Sequence, residues 1–110
     1  MILFVVGVVG FNMIYIYKIV IDGETRYIGR TNNISKREYT HNYLFRKGKK
    51  KELYDKVREN HPYVNYLKLE VIGEFKKDID AKRMECYLIL HLYFLKRGQL
   101  YQKVPNISDF

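Results

Sequence analysis

MIYIYKIVIDGETRYIGRTNNISKREYTH, residues 13–41, is the stretch whose reading decides the fold of this chain. Two runs of β-branched and aromatic residues, 14–21 and 25–30, flank Asp22-Gly23, a dipeptide suited to the positive φ angles of a tight hairpin turn. Asn32, Asn33 and Ser35 follow with N-cap chemistry for a helix that carries Ile34, Arg37, His41 and Leu44 or Phe45. Positions 34, 37, 41 and 44 share one helical face, so a guanidinium and an imidazole stack one turn apart beside apolar residues. The stretch therefore predicts a β-hairpin running into a helix. A cation and an imidazole on its inward stripe call for a reason beyond packing.

The register of the hairpin determines which side chains meet. With a regular two-residue turn, Ile21 pairs with Glu24 and Tyr17 with Ile28, and Tyr17 and Tyr27 point to opposite sides. One extra residue, as a longer loop or a bulge at Gly23, pairs Tyr17 with Gly29 and brings both tyrosines to one side.

A chain of 110 residues fits one small domain with a single core, and 47% hydrophobic content makes disorder a poor description. The net charge of +8 favours a polyanionic partner. Residues 30–58 hold ten Lys or Arg against three acids, so this window carries +7 of the total and sits beside the Arg37/His41 face. The single cysteine, Cys86, excludes an intrachain disulfide and a Cys-rich zinc site, and its apolar neighbours mark it as a small buried hydrophobe.

Residues 1–11 are apolar and no charge precedes Lys18. This run is read as an apolar leader or an added N-terminal strand, with Met13 as an alternative start; a membrane tether is a third reading, since 17 uncharged residues lie at the lower limit for a span. Residues 13–110 form the single domain. After the first helix, residues 46–51 make a basic loop broken by Gly48, and a second helix runs to about Glu59 with Leu53 and Val57 inward. Residues 66–72 alternate as a half-buried strand that Gly73 ends. Asp80 is the expected N-cap of a long helix to about Leu95, with Ala81, Met84, Leu88, Leu92 and Leu95 as its core stripe and Glu85 beside it. A carboxylate so placed is costly unless it is paired or bound to a cation. The expected fold is α+β: a small, three-stranded, mainly antiparallel sheet flanked by about three helices.

Tyr15-Ile16-Tyr17, Tyr27-Ile28-Gly29, Arg37 eight residues later, His41 four beyond it, Glu85 on a late helix and Asn106 near the end occur as an ordered set. This set resembles the GIY-YIG nuclease superfamily over residues 13–107. One position departs from it: Tyr15 stands where the family name has its first glycine. The resemblance implies that Tyr17 and Tyr27 both line an active site, and so selects the register with the extra residue. It implies a metal-dependent endonuclease that cuts phosphodiester bonds in DNA by single-metal, in-line hydrolysis and leaves 5′-phosphate and 3′-hydroxyl ends.

Each residue type suits such a reaction. Glu85 offers a hard oxygen to one Mg²⁺ or Mn²⁺ ion that keeps several waters. Arg37 offers a cationic fork to a phosphate oxygen. Tyr17 abstracts the water proton if the metal and Arg37 lower its pKa; His41 positions Tyr17 or relays its proton, and Tyr27 hydrogen-bonds the phosphate. Arg30, Lys47, Lys49, Lys50 and Asn106 are the expected substrate contacts. Taken singly, these residues have ordinary explanations, as ion pairs, solvated faces or strand formers; only their ordered co-occurrence points to catalysis. The alternative is a non-catalytic nucleic-acid-binding module on the same fold, which Tyr15 in place of glycine weakly supports. The expected partner is DNA, the expected assembly a monomer or homodimer, and the expected location the cytoplasm.

Overall fold

Asp22 (φ 55°) and Gly23 (φ 79°) both adopt positive φ, the pair of conformations that a type I′ turn requires. They fold β1 (Ile14–Ile21) back on β2 (Glu24–Thr31). The computed structural model describes residues 13–105; the leader or added strand expected over residues 1–12, and Asn106, lie outside the described residues. The hairpin is followed by α1 (Ile34–Arg46), α2 (Glu52–Asn60), β3 (Leu69–Phe75) and α3 (Asp78–Leu95). The strand order is β2-β1-β3 and both pairings are antiparallel. The expected α+β architecture, a three-stranded sheet with three helices, is what the chain forms. No helix among the described residues is long and apolar enough to cross a membrane.

The hairpin reconciles a tight turn with the longer register. Ile21 pairs with Glu24, yet Tyr17 pairs with Gly29, because the register shifts between Ile19↔Tyr27 and Val20↔Thr25. The extra residue is Arg26 and not Gly23, which corrects the expected position of the bulge. Arg26 is held from the other end of the chain. Its carbonyl accepts from the Tyr101 amide at 2.6 Å, and its guanidinium donates to the Gln99 carbonyl at 3.1 Å and lies over the Tyr101 ring at 4.9 Å. The Gln102 amide then mimics a strand residue, accepting from Ile28 N at 2.6 Å and donating to Ile28 O at 2.8 Å. The C-terminal segment thus covers the free edge of β2, which would otherwise offer unpaired backbone groups.

Two other expectations are corrected. β3 runs through Gly73, which pairs with Ile16, and does not begin at Tyr66. The chain before it is captured by α1: Asn42 donates to Leu67 O at 2.8 Å and accepts from Leu67 N at 2.6 Å, while Glu38 accepts from Leu69 N at 2.9 Å. A register shift opposite Ile16 and Tyr17 leaves Val71 and Ile72 exposed, so the alternation fails beyond Leu69. In α3, Lys77 occupies the N-cap without a side-chain cap, and Asp78 and Asp80 lie in the first turn, favourably placed for the helix dipole. Its inward face carries Ala81, Cys86 and Ile89, with Leu88 and Leu92 at the margin; Met84 and Leu95 are exposed. The apolar residues of α3 occupy more than one face, so spacing alone did not single out the buried one.

Successive strand residues point to opposite faces of the sheet, and each face has its own core. Tyr17, Ile19 and Ile21 pack with Phe45, Leu53, Tyr54 and Val57 of α1 and α2. Ile16 and Ile28 pack with Ala81 and Ile89 of α3. Gly29 permits a close approach on the first face: a methyl group at position 29 would overlap the Cζ and hydroxyl oxygen of Tyr17. The Tyr17 ring therefore lies across the glycine of Tyr27-Ile28-Gly29. Gly29→Ala is expected to lower stability by about 1–3 kcal/mol in urea denaturation, the usual cost of overpacking a buried site. An unchanged midpoint would mean that the ring is not pinned there.

Candidate active site

Tyr17 on β1, His41 on α1 and Tyr54 on α2 form one buried chain of polar groups. The Tyr17 hydroxyl lies 2.8 Å from His41 Nε2, and His41 Nδ1 lies 2.8 Å from the Tyr54 hydroxyl. Relative exposures of 0%, 2% and 1% leave water no part in satisfying them. A neutral imidazole has one donor and one acceptor, so one tyrosine donates to His41 and the other accepts from it. Tyr27 stacks on Tyr17 at 6.1 Å between centroids and meets His41 edge-on at 5.4 Å. Both tyrosines of the two tripeptides therefore face one site, as the register predicts.

Burial sets the protonation of this group. It lowers the pKa of His41 to about 4, with the Lys51 and Arg37 charges acting in the same direction. It also raises Tyr17 well above the ordinary phenol range, with Tyr27 adding to the rise. Arg37 opposes that rise, in the direction expected from the sequence, but desolvation outweighs it. Tyr54 is pushed up to about 12, again chiefly by burial. At neutral pH the chain is phenol, neutral imidazole, phenol.

The outer wall is cationic. A hollow of about 310 Å³ in front of His41 and Tyr54 is lined by Arg37, Lys36 and Lys51. The Lys51 ammonium donates to the Tyr27 hydroxyl at 3.4 Å and lies over the rings of Tyr27 and Tyr54 at 5.2 and 5.7 Å. Lys51 is held there as the residue that opens α2, its carbonyl accepting from Asp55 N at 2.8 Å. Arg58 fastens the preceding loop by donating to Phe45 O at 3.1 Å and Lys49 O at 2.8 Å.

Glu85 lies on the α3 side, one-fifth exposed, its Oε1 3.3 Å from Arg30 Nε; a second arm of Arg30 meets Asp78 at 3.0 Å. Burial raises the Glu85 pKa, and Arg30 only partly offsets this. The two parts of the site sense one another: the Glu85 charge contributes to the raised Tyr17 pKa, and Arg37 favours ionised Glu85. Among the described residues, no three His, Cys, Asp or Glu side chains gather as a metal cluster. Glu85 lines a concavity on the α3 face with Lys82 and Cys86, separate from the hollow that Arg37 and His41 line.

The expected substrate contacts divide. Arg30 is turned onto carboxylates. Lys47 lies over Tyr43 at 5.6 Å, on another side of α1 from Arg37 and His41. Lys49 and Lys50 are exposed in the loop, and Asn106 is outside the described residues. Lys51, the last of the lysine run, is the one that enters the site, and spacing within a run of like charges does not distinguish it. Tyr54 also escaped the sequence reading, although positions 53, 54 and 57 share a helical face and mark it as inward. Comparison with protein families, curated proteins and solved structures gave no match to this chain.

A histidine whose folded pKa is depressed binds its proton less readily than the unfolded chain does, so acid favours unfolding. As pH falls from about 6.5 towards about 4, His41 is expected to remove roughly 3 kcal/mol of stability. Urea denaturation of wild type and His41→Gln across that window isolates the contribution. The variant is expected to show the shallower pH dependence, and equal slopes would refute a buried neutral His41.

Proposed function

We propose that this chain is a metal-dependent DNA endonuclease whose fold and site resemble those of the GIY-YIG nucleases. The observation that carries this reading is the Tyr17–His41 hydrogen bond set behind the cationic wall of Arg37 and Lys51, with Glu85 in electrostatic reach. Hydrolysis of a phosphodiester requires neutralisation of phosphoryl charge, a proton acceptor for the attacking water and stabilisation of the leaving oxygen. Arg37 and Lys51 supply the first, and the Tyr27 hydroxyl, polarised by Lys51, adds a donor to the phosphate. Tyr17 and His41 form the proton acceptor: the Tyr17 hydroxyl is fully buried behind the hollow, so water must first be admitted to it, and as Tyr17 then takes the water proton its own passes to His41 Nε2. That direction leaves the hydrogen on His41 Nδ1, so Tyr54 accepts from it and fixes the imidazole in orientation.

Glu85 fits the role of ligand to a hard divalent cation. It is a single oxygen donor whose burial is incompletely offset by Arg30, which suits an ion that retains most of its waters. Bound Mg²⁺ or Mn²⁺ supplies Lewis-acid stabilisation of the phosphoryl oxygens and a more acidic water. One observation favours the second reading, a binding module without catalysis: the Arg30–Glu85 pair already gives this carboxylate a cation.

Plasmid DNA incubated with protein and Mg²⁺ separates the two. Under the nuclease reading, Glu85→Gln and Arg37→Ala each reduce cleavage by about a hundredfold or more, Glu85→Gln retains DNA binding, and the products carry 5′-phosphates. Absence of cleavage by wild type, or equal cleavage by wild type and Glu85→Gln, overturns it. Tyr54→Phe keeps the ring but removes the partner of His41 Nδ1. It is expected to lower kcat with little change in KM and to shift the pH profile of kcat.

A further inference from the structure

A second concavity, of about 570 Å³, opens beside α1 away from Arg37 and His41, and its walls are aromatic and cationic. Tyr39, Tyr43 and Tyr66 line it with exposures of 69%, 47% and 46%. Tyr39 and Tyr43, one turn apart, stack at 6.2 Å with an interplanar angle of 20°. Lys47 extends the row with its ammonium 5.6 Å from the Tyr43 ring, and across the groove the Arg46 guanidinium lies 5.5 Å from the Tyr66 ring. Glu38 also lines the groove and is held ionised by accepting from Leu69 N at 2.9 Å and from the Tyr66 hydroxyl, so one carboxylate stands against the two cations of Arg46 and Lys47.

A stacked pair at i and i+4 on a helix has a bland explanation, since it stabilises the helix by about 0.2–0.5 kcal/mol. That does not account for Tyr66, which lies outside α1, nor for the two cations at the ring faces. Exposed rings edged by Lys and Arg match the faces of nucleobases and the charge of the backbone that joins them. Duplex DNA buries its base faces in its own stack, so the occupant that uses these rings is a single strand. The loop from Lys47 to Lys51 connects this groove to the candidate active site, Lys47 lining one and Lys51 the other.

We infer that the Tyr39/Tyr43/Tyr66 groove binds unpaired nucleotides of a single-stranded nucleic acid, whose backbone follows the lysine loop toward Arg37 and Lys51. This inference rests on the nucleic-acid reading above but not on catalysis. The test is fluorescence anisotropy with a labelled oligothymidylate and, separately, a labelled DNA duplex, with chelator present so that cleavage does not enter. Tyr39→Ala/Tyr43→Ala is expected to weaken single-strand binding by about tenfold or more, since stacking contributes about 1–3 kcal/mol per base. Duplex affinity is expected to stay within about twofold of wild type, a change of less than half a kcal/mol. Tyr39→Phe/Tyr43→Phe keeps the rings and is expected to bind the strand like wild type. Three outcomes overturn the inference: no single-strand binding by wild type, an unaltered affinity in the double alanine variant, or an equal loss for strand and duplex. The two tyrosines are exposed, and matching circular dichroism spectra exclude a folding defect as the cause of a loss.

Discussion

The constraint on which the rest of this structure depends is the placement of one phenol. The Tyr17 ring lies across Gly29, where a β-carbon would overlap it, and its hydroxyl meets His41 where water does not reach. A buried polar group without a partner costs about 1–3 kcal/mol, so Tyr17, His41 and Tyr54 must all be satisfied together or not at all. That condition fixes β1 against β2, α1 against the sheet and α2 against α1. The bulge at Arg26 is part of the same solution, because without it Tyr17 would face Ile28 and not the glycine. The core and the candidate site are thus specified by the same contacts.

How much of this was legible in the sequence depends on how local the cause is. The Asp22-Gly23 turn and the Asn33 cap are local: the turn needs two positive φ angles, and the cap needs one side-chain oxygen three residues before an amide, here that of Lys36 at 3.0 Å. The position of the bulge is not local. It is set at Arg26 by a hydrogen bond that its guanidinium donates to Gln99 O and one that its carbonyl accepts from Tyr101 N, and no property of the 24–31 segment announces them. The onset of β3 is not local either, since α1 holds Leu67 through Asn42. In α3, apolar spacing puts Glu85 beside a stripe that includes Met84 and Leu95. The helix instead turns the 81, 85, 88, 89, 92 side toward the sheet, and Glu85 sits on the inward margin next to Arg30.

Lysines illustrate a different limit. A run such as residues 47–51 reports a charge density, and its individual roles come only from the path of the loop. Arg58 clamps that path from α2, which leaves Lys47 against Tyr43 and Lys51 against Tyr27. One loop therefore serves two concavities. Candidate residues taken from a cationic run are interchangeable on paper and line different concavities in space.

The cations also couple anion binding to protonation. Lys51 and Arg37 help hold His41 neutral by disfavouring a third positive charge. An anion seated between them cancels part of that repulsion and adds its own attraction for an imidazolium. The basicity of His41 should then rise when a phosphate occupies the hollow and fall when it leaves. Locked between two phenols, the imidazole is a weak base; an anion beside it would make it a better acceptor for the Tyr17 proton. Burial of Tyr17 and His41 favours this coupling, although Lys51 is exposed and water screens part of its charge. An exposed Tyr–His pair in the same geometry would gain little from the anion.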